Sequence, residues 1–201
     1  MQKIKMIIKR TGYEFSMADK PHLDMIITGH IDNGKSTTMG HFLMDLGVVD
    51  QRTIDAHAAE SEKTGKGDTF KYAWVMDNIK DERERGITID LAFQKFDTPK
   101  FNYTLIDAPG HRDFIKNMIT GASEADCAVL VLSAKPGETD TAIAPGGQAR
   151  EHAFLLKTLG VAQIIVAVNK MDDSNFSEEA YNPAVEKGKG LIKSCGYKAD
   201  E

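Results

Sequence analysis

One segment, residues 29–36, constrains the fold of this chain more than any other. It reads GHIDNGKS and meets the pattern G-x-x-x-x-G-K-[ST]. An apolar segment at residues 23–28 predicts a strand before it, and residues 36–46 predict a helix after it. A strand, a glycine-rich loop and a helix in this order predict a P-loop that binds phosphate, and a chance Gly/Lys turn is the alternative.

The loop has the chemistry that phosphate groups need. Glycines let the backbone approach phosphate oxygens, and the N–H groups at the helix start supply partial positive charge. Lys35 adds a full charge for the β- and γ-phosphates, and the Ser36 hydroxyl is a ligand for Mg²⁺. The predicted phosphate-binding residues of this segment are Gly29, His30, Ile31, Asp32, Asn33, Gly34, Lys35, Ser36 and Thr37.

Apolar segments recur along the chain with helical segments between them, which predicts an α/β fold. Further strands are predicted at residues 87–93, 101–107, 128–133 and 163–168. The first of these rests on alternating apolar residues, and the last two are apolar runs typical of buried strands. Helices are predicted at residues 114–122, 148–159 and 178–194. Residues 52–85 are polar with patches of helical spacing, and the charged run at 80–85 is interpreted as a solvated helix face.

A second motif, DAPG, stands at the end of the strand predicted at residues 101–107. The Asp107 carboxylate can hold a magnesium ion through water, and Gly110 can offer its N–H to a γ-phosphate without a side chain in the way. By itself this pattern is a simple turn. One strand after a P-loop, it predicts part of the same site.

A third motif, NKMD, occupies residues 169–172. The Asp172 carboxylate can accept two hydrogen bonds from the N1 and N2 positions of guanine, a donor pair that adenine lacks. Asn169 can bind the purine edge and connect back to the P-loop, and the Lys170 stem can lie over the base plane. The motif therefore predicts selection of GTP over ATP, with a polar turn at a strand end as the alternative.

Two single residues complete the candidate site. Thr88 lies between the P-loop and the second motif, where a threonine can bring its hydroxyl to Mg²⁺ and its N–H to the γ-phosphate. His111 directly follows Gly110 and is placed to orient an attacking water molecule, which makes it the candidate catalytic residue. The alternatives are an ordinary strand residue and a structural histidine.

Composition excludes several classes of protein. A net charge of −5 argues against a broad nucleic-acid-binding surface. No apolar run approaches the roughly 18 residues that a membrane span requires, so no membrane partner is predicted. The chain has two cysteines, Cys127 and Cys195, with no metal-binding motif around them, which fits a reducing cytoplasm.

These motifs, together with KYAW at residues 71–74, ERERGITI at 82–89 and GQAREH at 147–152, carry a resemblance to a known family. The chain resembles the translational GTPases of the elongation factor Tu family, in particular the archaeal and eukaryotic elongation factor 1-alpha type. The resemblance covers about residues 17–198. It implies a Ras-like G domain with a mostly parallel sheet, and residues 52–85 resemble the extended switch I of that branch.

The resemblance also implies a function. Members hydrolyse GTP with Mg²⁺ held by residues that match Ser36, Thr88 and Asp107, and they deliver aminoacyl-tRNA to the ribosomal A site. A guanine-nucleotide exchange factor is a further implied partner. Ile31 and Ile87 match an apolar gate beside the catalytic histidine.

The chain departs from the family pattern at two places. Asn33 stands where histidine is usual, so altered loop contacts are expected without loss of phosphate binding. The sixth strand, the guanine-closing serine box and the tRNA-binding β-barrel domains are expected to be absent, which would leave the strand at 163–168 as an exposed edge. Residues 1–16 are predicted to be a loose extension, and residues 17–201 a G domain that is incomplete at its C-terminus. Alternatives are a release-factor-like or ribosome-rescue GTPase, or a non-enzymatic fragment with weakened nucleotide binding.

Overall fold

A computed structural model describes residues 20–63, 65, 70–77 and 80–199, without the side chains at positions 80, 81 and 84. The extension predicted at residues 1–16 lies outside the described residues. Within the described part of the chain, no helix is long and apolar enough to cross a membrane.

The described residues form one five-stranded sheet with the order β2-β3-β1-β4-β5. Its strands are β1 (His22–Gly29), β2 (Ala92–Asp97), β3 (Asn102–Asp107), β4 (Cys127–Ser133) and β5 (Gln163–Asn169). Strand β2 runs antiparallel to β3, and the other neighbouring pairs are parallel. The prediction of an α/β fold with a mostly parallel sheet is therefore confirmed.

Helices connect the strands and cover both faces of the sheet. They are α1 (Lys35–Asp45), α2 (Gln51–Lys63), α3 (Phe70–Ala73), α4 (Lys80–Arg85), α5 (Ile115–Glu124), α6 (Glu138–Ile143), α7 (Gln148–Thr158) and α8 (Glu178–Ser194). Short 3-10 helices occupy Arg112–Phe114 and Met171–Ser174. The helix predicted at residues 178–194 has those bounds in the structure, where Ser177 caps its first turn.

Strand β4 contributes side chains to the core on both faces of the sheet. Val131 packs in a cluster with Leu43 of α1, whereas Leu130 and Leu132 pack on the opposite face in a cluster with Leu191 of α8. All five of these side chains are almost fully buried. The prediction that residues 128–133 are buried on both faces is confirmed, and each such side chain stabilises the fold by about 1.5–3 kcal/mol.

Three predictions about single segments are wrong. The strand predicted at residues 87–93 begins only at Ala92, because side chains elsewhere in the fold bind the backbone of residues 89 and 90. The apolar run predicted a buried strand at residues 163–168, but β5 pairs only with β4 among the described strands and leaves Ile165 56% exposed. The described strands agree instead with the exposed edge that was expected from the departure from the family pattern. In the charged run at 80–85, Glu82 is only 3% exposed, so this run is not a fully solvated face.

Candidate functional site

The P-loop connects the end of β1 to the start of α1. Gly34 has φ +80°, a conformation that glycine adopts without strain, and a Cβ placed there would lie 2.5 Å from Asn169 Nδ2. The backbone before α1 therefore turns in a space that excludes a larger residue. The first N–H groups of α1 open into a cleft of about 260 Å³.

Asn33 anchors this loop to the sheet. Its side chain is 1% exposed, and Nδ2 donates a hydrogen bond of 2.8 Å to the carbonyl oxygen of Val131 on β4. The backbone carbonyl of Asn33 accepts a 2.8 Å hydrogen bond from Nδ2 of Asn169. The asparagine that departs from the family pattern thus makes its own buried contact, and the loop is joined directly to the motif at residues 169–172.

Lys35 carries a positive charge in a buried position. Its side chain is 6% exposed, and Nζ donates a 3.1 Å hydrogen bond to the carbonyl oxygen of His30. Burial lowers the pKa of Lys35, although the carboxylates of Asp107, Asp32 and Asp77 oppose that shift. A buried ammonium group is costly in free energy without a compensating charge, so this position favours an anionic ligand.

The cleft brings together segments that are far apart in the sequence. Its predicted members are Ile31, Asp32, Gly34, Lys35, Ser36, Thr37, Ile87, Thr88, Gly110 and His111. Sequence reasoning missed four further lining residues, Phe70, Ala73, Asp77 and Gly86. Gly86 lies two residues before the predicted Thr88. The other three lie on α3 and just after it, in a polar stretch whose local pattern gives no sign of a phosphate cleft.

Three predicted metal ligands lie at the bottom of the site. The hydroxyl oxygens of Ser36 and Thr88 are 3.1 Å apart although 52 residues separate them. Asp107 is fully buried, and neither carboxylate oxygen has a hydrogen-bond partner among the described residues. Burial raises the pKa of Asp107 to about 6, against the opposing effects of Ser36 and Lys35. Two adjacent hydroxyls and a buried carboxylate next to them fit a hard cation such as Mg²⁺.

Gly110 lies directly against the P-loop. A Cβ at this position would overlap Lys35 Nζ and would lie 3.0 Å from the backbone nitrogen of Ile31. A larger residue would therefore displace the Lys35 ammonium group. This close approach explains why the turn after β3 ends in glycine.

His111 lies at the open side of the cleft. Its Nδ1 accepts a 3.2 Å hydrogen bond from the backbone N–H of Asp113 and caps the 3-10 helix at Arg112–Phe114. That hydrogen bond assigns the proton of a neutral ring to Nε2. The side chain is 36% exposed, and Ile31 and Ile87 line the same cleft.

The predicted guanine-binding residues lie together beyond the phosphate cleft. Asn169 ends β5, Lys170 adopts φ +59°, and Asp172 is exposed in the following 3-10 helix. The Lys170 ammonium group pairs with Glu138 of α6 at 2.7 Å. Within this motif, Asn169 is joined to the P-loop by its hydrogen bond to the Asn33 carbonyl, and Asp172 is exposed to solvent.

Two further parts of the surroundings were not predicted. Below the P-loop, His152 of α7 is fully buried, and its Nδ1 is hydrogen-bonded to Thr28 Oγ1 at 2.6 Å. Burial is the main cause that lowers the pKa of His152 to about 3. The guanidinium of Arg83, on α4, lies 5.3 Å from the centre of the Trp74 ring. Nε of Arg83 donates a hydrogen bond to the carbonyl oxygen of Asp77.

Comparison with known proteins decides the family. The family model described as "Elongation factor Tu GTP binding domain" matches residues 20–200. The chain belongs to this family. The prediction of a translational GTPase G domain is confirmed.

Curated relatives in the family are named "Elongation factor 1-alpha". The chain is 86% identical to that of Cenarchaeum symbiosum over 184 residues, which cover 92% of this chain and 42% of the relative. It is 56% identical to that of Ignicoccus hospitalis over 188 residues, with the same shares covered. The chain therefore spans less than half the length of these relatives.

Solved structures give the same fold. A structure of Sup35 complexed with GDP has a TM-score of 0.61 and 29% identity, and the match covers 96% of this chain and 39% of that one. A bacterial selenocysteine-specific elongation factor also has a TM-score of 0.61, at 27% identity, with 87% of this chain and 24% of that one covered.

Proposed function

We propose that this G domain binds GTP in the cleft at residues 29–36 and hydrolyses it with Mg²⁺, as part of a cytoplasmic factor that delivers aminoacyl-tRNA to the ribosome. The observation that carries the proposal is the convergence of Lys35, Thr88 and His111 on one cleft next to the P-loop. Positioning and electrostatic stabilisation account for most of the catalysis of phosphoryl transfer.

In this proposal, the phosphates lie against the start of α1. Lys35 Nζ leaves its carbonyl partner for the β- and γ-phosphates, whose negative charge directly stabilises the buried ammonium group. The N–H groups of residues 29–37, Thr88 and Gly110 complete the phosphate contacts. Ser36, Thr88 and Asp107 would hold Mg²⁺, and bound Mg²⁺ would neutralise phosphate charge.

His111 is the proposed catalytic residue. With Nδ1 occupied by the Asp113 N–H, the free ring nitrogen is Nε2, which can donate a hydrogen bond and orient a water molecule. Ile31 and Ile87 line the same cleft, so they can limit access of the ring to the γ-phosphate.

Guanine selection is assigned to Asn169, Lys170 and Asp172. The exposed Asp172 carboxylate can accept from guanine N1 and N2. Because Asn169 also holds the P-loop carbonyl at residue 33, binding of the base and binding of the phosphates are coupled.

The partners of the whole factor are proposed from its relatives. An identity of 86% with an elongation factor 1-alpha supports the elongation role over the release-factor-like alternative. Aminoacyl-tRNA, the ribosome and a guanine-nucleotide exchange factor are the partners that this role requires.

The Lys35→Ala variant tests the phosphate assignment. Removing the buried ammonium group should weaken GDP and GTP binding by about 100-fold or more, since charge-assisted hydrogen bonds to phosphate are lost. Fluorescent GDP and GTP titrations measure this effect. Lys100→Ala, at an exposed lysine in the turn between β2 and β3, is the matched control and should bind as the wild type does.

Two results would contradict the proposal. Unchanged GTP affinity in Lys35→Ala would overturn the placement of the phosphates. A wild-type chain that binds neither nucleotide in the micromolar range would instead favour the alternative of a non-enzymatic fragment.

A further inference from the structure

The two residues directly after Thr88 are held from one side by a buried carboxylate. Glu82 of α4 accepts two hydrogen bonds of 3.0 Å at Oε1, one from the N–H of Ile89 and one from the N–H of Asp90. Its side chain is 3% exposed, so these charge-assisted hydrogen bonds lie away from water. They take the N–H groups that a strand at this position would use.

The same two residues are held from the other side by α5. Nδ2 of Asn117 donates to the backbone carbonyl of Ile89 at 2.9 Å and to Oδ1 of Asp90 at 3.1 Å. Both acceptors require an N–H donor, so the orientation of the amide is fixed. The next residue, Leu91, also packs on α5, where a Cβ at Gly121 would lie 2.8 Å from its Cδ2.

Asn117 belongs to the helical segment that begins at His111. His111 caps the 3-10 helix at Arg112–Phe114, which continues directly into α5. Met118, the neighbour of Asn117, is fully buried against the sheet and holds the start of this helix in place. The Asn117 amide therefore joins the segment that carries His111 to the segment that carries Thr88.

We propose that Asn117 is a positioning residue that couples Thr88 to His111. The proposal rests on the function proposed above and deepens it by naming a link between two parts of the site. Glu82 and Asn117 fix the backbone at residues 89 and 90, so the Thr88 hydroxyl is held 3.1 Å from that of Ser36. Release of Thr88 after loss of the γ-phosphate would then strain the hydrogen bonds to Asn117 and shift the helix that begins at His111.

The coupling predicts a difference between the two nucleotides. GTP binding uses Thr88 at the γ-phosphate, whereas GDP lacks that group. Loss of the Asn117 hydrogen bonds should therefore weaken binding of a GTP analogue and leave GDP binding nearly unchanged. A purely structural defect would weaken binding of both nucleotides by the same factor.

Asn117→Asp tests the coupling with an isosteric change. It removes the N–H donors and places a carboxylate against the Ile89 carbonyl and the Asp90 carboxylate. Thr120→Ala is the matched control, because Thr120 lies on the same helix, is exposed, and donates its hydroxyl to Lys116 of α5 itself. Asn117→Ala provides a second variant that loses the donors without adding charge.

Two measurements read the effect. In titrations with a non-hydrolysable GTP analogue and with GDP, Asn117→Asp should lose about tenfold in affinity for the analogue and less than about twofold for GDP. Trypsin should cleave after the exposed Arg85 faster in both Asn117 variants than in Thr120→Ala, including in the nucleotide-free chain. Equal losses for both nucleotides, or affinities and cleavage rates equal to those of the control, would overturn the coupling.

Failure of the proposed function gives a different result. If the proposed function is wrong, the wild type does not bind GDP or GTP, or Lys35→Ala binds them as tightly as the wild type. The tryptic rates of the nucleotide-free chain still decide the coupling in that case: faster cleavage of the Asn117 variants supports it, and rates equal to the control overturn it.

Discussion

His111 and His152 both lie near the P-loop but differ in exposure, and exposure decides what each can do. His111 is 36% exposed at the cleft, whereas His152 is fully buried below the P-loop. A partly exposed ring with one free nitrogen can contact water and substrate. A buried ring with a depressed pKa remains neutral and supports the fold.

Substitution of His111 should separate binding from hydrolysis. In His111→Ala, GDP and GTP affinities should stay within about twofold of wild type, because the ring makes no predicted phosphate contact. Single-turnover hydrolysis on ribosomes, with the chain in its full-length factor, should fall by about 100-fold or more. An unchanged single-turnover rate would refute the catalytic role.

His152 should make stability sensitive to acid. Its pKa is lowered from 6.5 to about 3, so below pH 6.5 the unfolded state binds a proton that the folded state does not. Stability from this group is complete above pH 6.5 and falls by about 1.4 kcal/mol per pH unit below it. Urea unfolding measures the free energy of unfolding at pH 7 and at pH 5. The loss of this free energy between the two pH values should be about 2 kcal/mol smaller in His152→Asn than in wild type. Parallel pH profiles would contradict this assignment.

The sequence predicted the candidate phosphate-binding residues more readily than the residues that support them. Spacing alone placed Lys35 and Ser36, because a P-loop is a local structure. Glu82 and Asn117 act through contacts with residues 7 and 28 positions away, respectively. Local patterns do not encode such contacts, so one residue looked like part of a solvated face and the other carried no signal.

Among the elements, β5 is exposed along one side. It pairs with β4 only, among the strands that the structure describes, and Ile165 projects from it with 56% exposure. An exposed strand edge with a large apolar side chain promotes association between chains. The adjacent Ile164 faces the opposite way and packs against the core.

Threonine substitutions at these neighbouring positions should have opposite consequences. Ile165→Thr should reduce concentration-dependent light scattering and change the free energy of unfolding by less than about 0.5 kcal/mol. Ile164→Thr, the matched control, should cost about 1–3 kcal/mol because it puts a hydroxyl into the core. Equal scattering by Ile165→Thr and wild type would show that this edge does not drive association.

Helices and central strands followed the sequence pattern closely, whereas one alternating pattern did not. Residues 87, 89, 91 and 93 alternate as a strand requires, but only the last lies in β2. Tertiary hydrogen bonds to residues 89 and 90 outweigh the local preference. This exception falls next to Thr88, a candidate site residue, and departures from local preference are expected at functional sites.

At the scale of the whole molecule, the parallel strands place the three candidate site motifs at one edge of the sheet. Strands β1, β3 and β5 end at Gly29, Asp107 and Asn169, and each end carries one motif. Ligands of open α/β sheets bind beyond the carboxyl ends of the strands. A mostly parallel sheet therefore implied that the three motifs would lie close together. In the structure, all three lie at the edge where the carboxyl ends of β1, β3 and β5 meet.

Chelation of magnesium should loosen nucleotide held at this edge. Excess EDTA should raise the GDP dissociation rate by about tenfold or more, since the phosphates lose their counter-charge. In Asp107→Asn, dissociation should already be fast and should respond less to EDTA. Stopped-flow release of fluorescent GDP measures both rates, and an equal response of the two proteins to EDTA would remove Asp107 from the metal site.

The packing of Trp74 gives this domain an optical probe of its own. It is the single tryptophan in the chain, is 1% exposed, and lies between His57 and the guanidinium of Arg83. Indole emission depends on the charge beside the ring, and Arg83 is part of the helix that precedes Thr88. Movement of that helix during a nucleotide cycle should therefore change the emission spectrum, so that turnover can be followed in real time without an attached dye.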